Sequence, residues 1–270
     1  MKPVAGLPMR VVITGASSGL GSALAVEFAR RFPGAVLLLI ARRSNRLDEL
    51  ASRLPDVRCE CACVDVTDTA ALRSACEGFM RRHGSPDVVV ANAGISAGTV
   101  TGTDGDRAVF RRILEVNLLA MVETFDPFIG AMRGAGGGTL VGISSMAGIR
   151  GLPGAEAYSA SKAAAFSYLE SLRVGLRGSG LAVVTIAPGY VRTEMTAAND
   201  YPMPFLMPAD AFARRAVEAI VRRRSYRVIP WQMAAVAPLL RQMPNWLYDR
   251  AFAKAPRKAR NPSLGEADGR

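Results

Sequence analysis

The chain has 270 residues, 50% of them hydrophobic, 21% charged and 7% aromatic, with a formal charge of +11. That length is enough for one large core, and no run of about 18 or more uninterrupted apolar residues offers a spanning helix. The opening MKPVAGLPMRVVITG lacks the charged, apolar and small-residue order of an export signal, so a cytoplasmic location is expected.

In chain order, the β-branched VVITG at 11–15 predicts a first strand, and SALAVEFARRF a helix behind it. VLLLIA predicts a second strand and LDELASRL a second helix; CACVDV ends a third strand and VVVANAG a fourth. A long helical stretch around 109–132 precedes the strand TLVGISS, a helix from about 156 to 176, and the strand AVVTIAPG. Strands that are apolar throughout, alternating with amphipathic helices, predict an α/β fold: a doubly wound, Rossmann-like parallel sheet with helices on both faces. No linker or internal repeat divides it. Residues 1–229 are therefore expected to form one catalytic domain, and 230–270 a basic, apolar-rich helical extension with a flexible end.

Cys59, Cys61 and Cys63 alternate as one strand face would, and Cys76 sits in a helical pattern. Without C-x-x-C pairs or neighbouring histidines they predict no metal site, only small buried hydrophobes in a reducing compartment. The single histidine, His83 in RRHGSPD, is given no role and leaves a Ser-His-Asp hydrolase improbable.

Ligands of such sheets bind at the carboxyl ends of the strands. The first strand runs into TGASSGLG, with Thr14, Gly15, Gly19 and Gly21. A glycine turn between strand and helix lets backbone approach a pyrophosphate, which the helix N-terminus attracts. The second strand ends in Ala41, Arg42, Arg43 and Ser44, where an NAD-binding chain usually carries an acid. Two guanidiniums and a hydroxyl suit a 2′-phosphate, so NADP(H) is expected over NAD(H), which stays usable.

Taken in order, these motifs resemble the classical short-chain dehydrogenase/reductase family over about residues 9–195. TGASSGLG is similar to its TGxxxGxG turn. Asp65 and Val66 match the pair placed against the adenine, and ANAG, with Asn92, Ala93 and Gly94, is similar to NNAG with Ala91 replacing its first asparagine. Asn117 in VNLLA matches the family's active-site asparagine; Ser145 in GISSMAG, Tyr158 and Lys162 in AYSASKAAA, and APGYVRT complete the set. Ser145 is preferred to Ser144 because its spacing from Tyr158 resembles the family's. The resemblance implies catalytic Tyr158, Lys162, Ser145 and Asn117. It implies cofactor contacts from Gly15, Ser17, Ser18, Gly19, Leu20, Arg42, Arg43, Asp65, Val66, Asn92, Ala93, Gly94, Tyr158, Lys162, Pro188, Gly189, Val191 and Thr193. It also implies about seven strands and a homodimer or homotetramer. Ser18 stands where many NADP-preferring members have a basic residue.

The chemistry expected of this set is hydride transfer between nicotinamide and a carbonyl or secondary alcohol. Tyr158 would exchange the proton, and Lys162, one helical turn on, would lower the tyrosine pKa from its ordinary value near 10. Ser145 would orient the substrate oxygen, and Asn117 would link Lys162 to solvent through a water relay. A non-catalytic, NADP-binding redox sensor docking through its basic tail is the alternative, but it has no need of a Ser-Tyr-Lys set.

The loop at about 194–210, with Met195, Tyr201, Met203, Phe205 and Met207, is apolar enough to cover a bulky or lipophilic substrate, though a core role would use the same residues. Beyond it the basicity concentrates. From Arg222 to Arg260 there are ten basic residues and one acid, so +9 of the +11 lies there and the rest of the chain is near neutral. Val236, Leu239, Leu240, Met243 and Leu247 fall at helical spacing, with Pro230, Pro238 and Pro244 dividing the segment into short pieces. A packed helical flap is preferred; Trp231, Trp246 and Tyr248 beside arginines leave a peripheral membrane contact as the other reading. No nucleic-acid-reading element is recognisable.

Overall fold

The computed structural model describes residues 8–197 and 199–265. Their order is β1 (Arg10–Thr14), α1 (Gly19–Arg31), β2 (Val36–Ala41), α2 (Ser44–Ser52), β3 (Arg58–Cys63), α3 (Thr69–His83), β4 (Val88–Ala91) and α4 (Asp106–Leu114). A π-helical turn (Glu115–Leu119) leads into α5 (Ala120–Gly134), then β5 (Gly138–Ile143), α6 (Glu156–Gly175), β6 (Leu181–Pro188), β7 (Val191–Arg192) and α7 (Glu194–Ala197). The described chain closes with β8 (Met207–Pro208), α8 (Ala209–Val221), β9 (Tyr226–Ile229), α9 (Trp231–Gln242), α10 (Asn245–Phe252) and a 3-10 turn (Pro262–Gly265).

Seven strands form one parallel sheet in the order β3-β2-β1-β4-β5-β6-β9. The expected doubly wound α/β fold is what the chain adopts. β2, β4 and β5 are buried at every position, which is why they read as unbroken apolar runs. One face is covered by α1, α2 and α8 through residues such as Phe28, Leu47 and Phe212. The other carries α3, α5 and α6 through Phe79, Phe125 and Leu169. Strand order reverses between β1 and β4, so a crevice opens between their carboxyl ends.

Two expectations are corrected. Cys61 and Cys63 are exposed and Cys59 is intermediate, because β3 is the edge strand; only Cys76 is buried. The stretch expected to be helical around 109–132 is helical throughout, as α4, a π turn and α5 in succession. Pro238 lies inside α9, whereas Pro230 and Pro244 do sit at helix starts. A proline inside a helix forfeits one backbone bond without ending it when flanking turns hold.

The extension packs through Met233, Ala237 and Tyr248, the last donating its hydroxyl to the Gly151 carbonyl (2.6 Å) beneath the Arg150 guanidinium. Trp231, Leu239 and Trp246 stay exposed. Residues 256–265 then run back to the β4–α4 loop, where Gly98 and Arg260 form a parallel bridge. The flexible end expected of the extension falls partly on 266–270, outside the described residues. Among the described residues no helix is long and apolar enough to cross a membrane, and no metal-binding cluster is present.

Candidate active site

A cleft of about 420 Å³ lies along the carboxyl ends of β1, β2, β4, β5 and β6. Every cofactor-contact residue inferred from the sequence lines it, as do three of the four catalytic candidates, Ser145, Tyr158 and Lys162. Asn117 is fully buried just behind.

The glycine turn and the Asn92–Gly94 loop are stitched together by Thr14. Its hydroxyl accepts from the Asn92 and Ala93 amides (3.1 and 3.2 Å), while Asn92 Nδ2 donates to the Thr14 carbonyl (2.9 Å). A Cβ at Gly21 would fall 2.2 Å from the Gly15 carbonyl oxygen, so only glycine lets α1 start this close to β1. The first turn of α1 carries no acid, and Ser18 leaves it uncapped. Its free amides and positive dipole end suit a phosphate. Ser17 and Ser18 instead accept from Arg43, Ser18 Oγ at 2.7 Å from Nη2.

Arg42 and Arg43 stand at the mouth with exposed guanidiniums. Arg43 is met by Glu194 at 3.3 Å, and Arg42 approaches Asp65 at 3.6 Å. Burial works against the ionised Asp65, but Thr67, Arg112 and Arg42 outweigh it and hold the carboxyl below its ordinary range. Arg112 and Glu194 belong to this end and escaped the sequence reading. A nearly buried arginine donating to Asp65 (2.9 Å) and Thr67 (2.8 Å) has no local signal beyond a charge on the inner side of α4.

At the other end, α6 carries Tyr158 and Lys162 one turn apart. Lys162 is buried and its Nζ donates to the Ile143 carbonyl (2.9 Å), lying 5.9 Å from the Tyr158 ring centroid. Burial pulls its pKa down to about 8. Tyr158 is shifted up: burial dominates, and the Ser145 hydroxyl facing the phenol pulls the other way. The expected lowering by Lys162 is therefore not what this pocket does, because losing water costs the phenolate more than its neighbours return.

The two serines part ways. Ser144 is buried and donates to the Lys162 carbonyl (2.9 Å), tying β5 to α6, whereas Ser145 turns toward Tyr158. Asn117 sits in the π turn, a distortion that often marks functional positions. Its amide bonds both the nitrogen and the oxygen of Ile95 (2.8 and 3.0 Å) and Ser161 Oγ (3.0 Å). Those direct bonds fasten the loop rather than reach Lys162. Gly94 lets that loop in: a Cβ there would lie 3.3 Å from Asn117 Oδ1 and 3.6 Å from Lys162 Nζ.

The 194–210 loop divides. Met195 reaches the cleft, Tyr201 sets its ring against Tyr190, and Met207 is buried in the core; Ala198 lies outside the described residues. The wall also includes Leu264, brought from the far end of the chain.

Residues 9–202 match the short chain dehydrogenase family. An uncharacterized oxidoreductase of Myxococcus xanthus is 39% identical over 89% of this chain and 94% of its own. A short-chain dehydrogenase from Sphingobium yanoikuyae, solved with NADPH, superposes with a TM-score of 0.74 at 30% identity, covering 94% of this chain and 98% of that one. A short-chain dehydrogenase/reductase from Burkholderia phymatum, solved with NAD, shares the fold with a TM-score of 0.77 at 23% identity, over 95% and 96% of the two chains. The chain belongs to the short-chain dehydrogenase/reductase family of oxidoreductases.

Proposed function

We propose that this chain is an NADP(H)-dependent oxidoreductase of small-molecule carbonyls and secondary alcohols, working through Ser145, Tyr158 and Lys162 with support from Asn117. The observation that carries this reading is that one cleft holds that trio at one end and the open start of α1, flanked by Arg42 and Arg43, at the other. The residues fit a dinucleotide: the glycine turn leaves room for a pyrophosphate, and the two guanidiniums favour a 2′-phosphate, with NAD(H) the weaker ligand. When bound, the nicotinamide supplies or takes the hydride.

In reduction, the substrate oxygen gains negative charge and needs a donor. Tyr158 gives its phenolic proton to that oxygen, and the upward shift of its pKa keeps the proton in place until then. Ser145 donates to the same oxygen and orients it. Lys162, with a pKa of about 8, is largely protonated at neutral pH and holds positive charge beside the phenol as it ionises. Asn117 positions the Asn92–Ile95 loop that forms the adjoining wall. This favours reduction as the direction in which the resting protonation state is ready. The enzyme is read as a cytoplasmic homodimer or homotetramer that uses no nucleic acid.

A panel of carbonyls and alcohols with each nicotinamide, followed at the reduced-nicotinamide band, tests the proposal. Turnover with NADPH exceeding that with NADH is expected. Complete inactivity across the panel while nucleotide is bound would sink it.

A further inference from the structure

The C-terminal strap returns to the cleft, where Leu264 joins the wall, and it brings a cation beside the Tyr158 ring. After α10 the chain crosses Gly154, against which the stem of Arg257 packs, and then Gly98, whose amide donates to the Ala259 carbonyl (2.8 Å). A Cβ at Gly98 would fall 2.1 Å from the Lys258 carbonyl oxygen, so the strap lies flush on this loop. Arg260 then clamps the buried Asp106 with both Nε and Nη2 (2.9–3.1 Å) and also bonds the Asp104 carbonyl. Leu264 follows and packs with Ala97, Val109, Ile113 and Ala157.

Between these anchors Lys258 places its Nζ 5.8 Å from the centroid of the Tyr158 ring, about as near as Lys162 on its own helix. The side chain is only partly exposed, and burial lowers its pKa with no anion opposing the shift. Of the carboxylates on the segments that the strap meets, Asp106 is held by Arg260, and Glu156 accepts from the amide and hydroxyl of Thr101. Among the described residues Lys258 has no ion-pair partner. Holding an ammonium partly out of water without a counter-charge is unfavourable, and an anion arriving beside it would relieve that cost.

We propose that Lys258 reads an anionic group on the substrate, so that the preferred carbonyl compound carries a carboxylate, sulfonate or phosphate beyond its reacting carbon. Arg260 is the positioning residue that holds the strap in register. The proposal rests on the oxidoreductase reading above and narrows its substrate class.

The test pairs charged aldehydes with neutral counterparts of the same length, such as 4-oxobutanoate and its methyl ester, using NADPH. The wild type is expected to favour the charged member in kcat/KM. Lys258→Met lowers that charged-to-neutral ratio about ten- to hundredfold, the range of a hydrogen bond to a charged partner. Lys258→Arg retains most of it. Arg260→Ala raises KM for the charged aldehyde more than it lowers kcat, because the strap loses its register. An unchanged ratio in Lys258→Met, or a wild type that favours the ester, overturns the proposal. Calorimetric titration of the NADPH-bound enzyme with succinate and its dimethyl ester reads Lys258 without turnover. Tighter succinate binding that Lys258→Met abolishes supports it, and equal binding in the two proteins overturns it. If nucleotide binds and neither aldehyde is reduced, the oxidoreductase reading fails instead.

Discussion

The two ends of the cleft are built in opposite ways. The nucleotide end comes from adjacent strand-to-helix turns, each short and each tied to the sheet by its own backbone, as Thr14 and Asn92 are. The substrate end is assembled from α6, the β4–α4 loop and a strap that begins 81 residues after α6, clamped by an ion pair between Asp106 and Arg260. The first is prescribed by local geometry and the second by long-range contacts. Variation at the first should cost nucleotide binding, and at the second it should redirect what is reduced.

The largest expected effect separates chemistry from binding. Tyr158→Phe should lower kcat by about a thousandfold or more, within the usual range of a proton donor, with NADPH affinity measured by fluorescence titration nearly unchanged. A matching loss of NADPH affinity would show that the two ends are not separable.

Lys162 sharpens the contrast through pH. Its folded pKa of about 8 lies below the ordinary lysine value near 10.4, so between these values the unfolded chain binds more protons than the native one. Stability therefore rises with pH across that window, by up to about 3 kcal/mol when the whole shift is realised. Lys162→Met removes this dependence. Urea unfolding of both proteins from neutral to alkaline pH should show their stability difference moving in the wild type's favour as pH rises; parallel curves would refute it.

At the nucleotide end, Arg43→Ala should weaken NADPH about tenfold or more while changing NADH far less, since only the former offers a phosphate to the guanidinium. Equal losses would mean that Arg43 acts only through Ser17, Ser18 and Glu194. The smallest effect is expected on the extension. Trp231→Ala should alter the melting temperature little, because the ring is 70% exposed, whereas Tyr248→Ala, which removes a buried ring and its bond to Gly151, should lower it measurably. Similar shifts would show that the exposed face of α9 is covered in solution.

The amino-acid sequence by itself determined the kind of sheet, the order of its first six strands and most residues lining the nucleotide end, Arg112 and Glu194 excepted. Apolar strands such as VLLLIA, the glycines of TGASSGLG and the paired Arg42 and Arg43 act within a turn or two of where they stand, so their meaning survives being read in a line. The same holds for the helix that carries Tyr158 and Lys162, whose spacing sets them on one face. Only the tertiary structure decided the rest. It put Cys61 and Cys63 on an exposed edge, which alternation along a strand cannot reveal. It set Tyr158 above rather than below its ordinary pKa, because burial is a property of surroundings and not of spacing. And it carried two unremarkable residues of a basic tail back across the fold, Leu264 to the wall of the cleft and Lys258 to the Tyr158 ring. The charge concentrated at the end of the sequence is, at that one residue, charge beside the tyrosine: distance along the chain and distance in space are unrelated wherever long-range packing closes the loop.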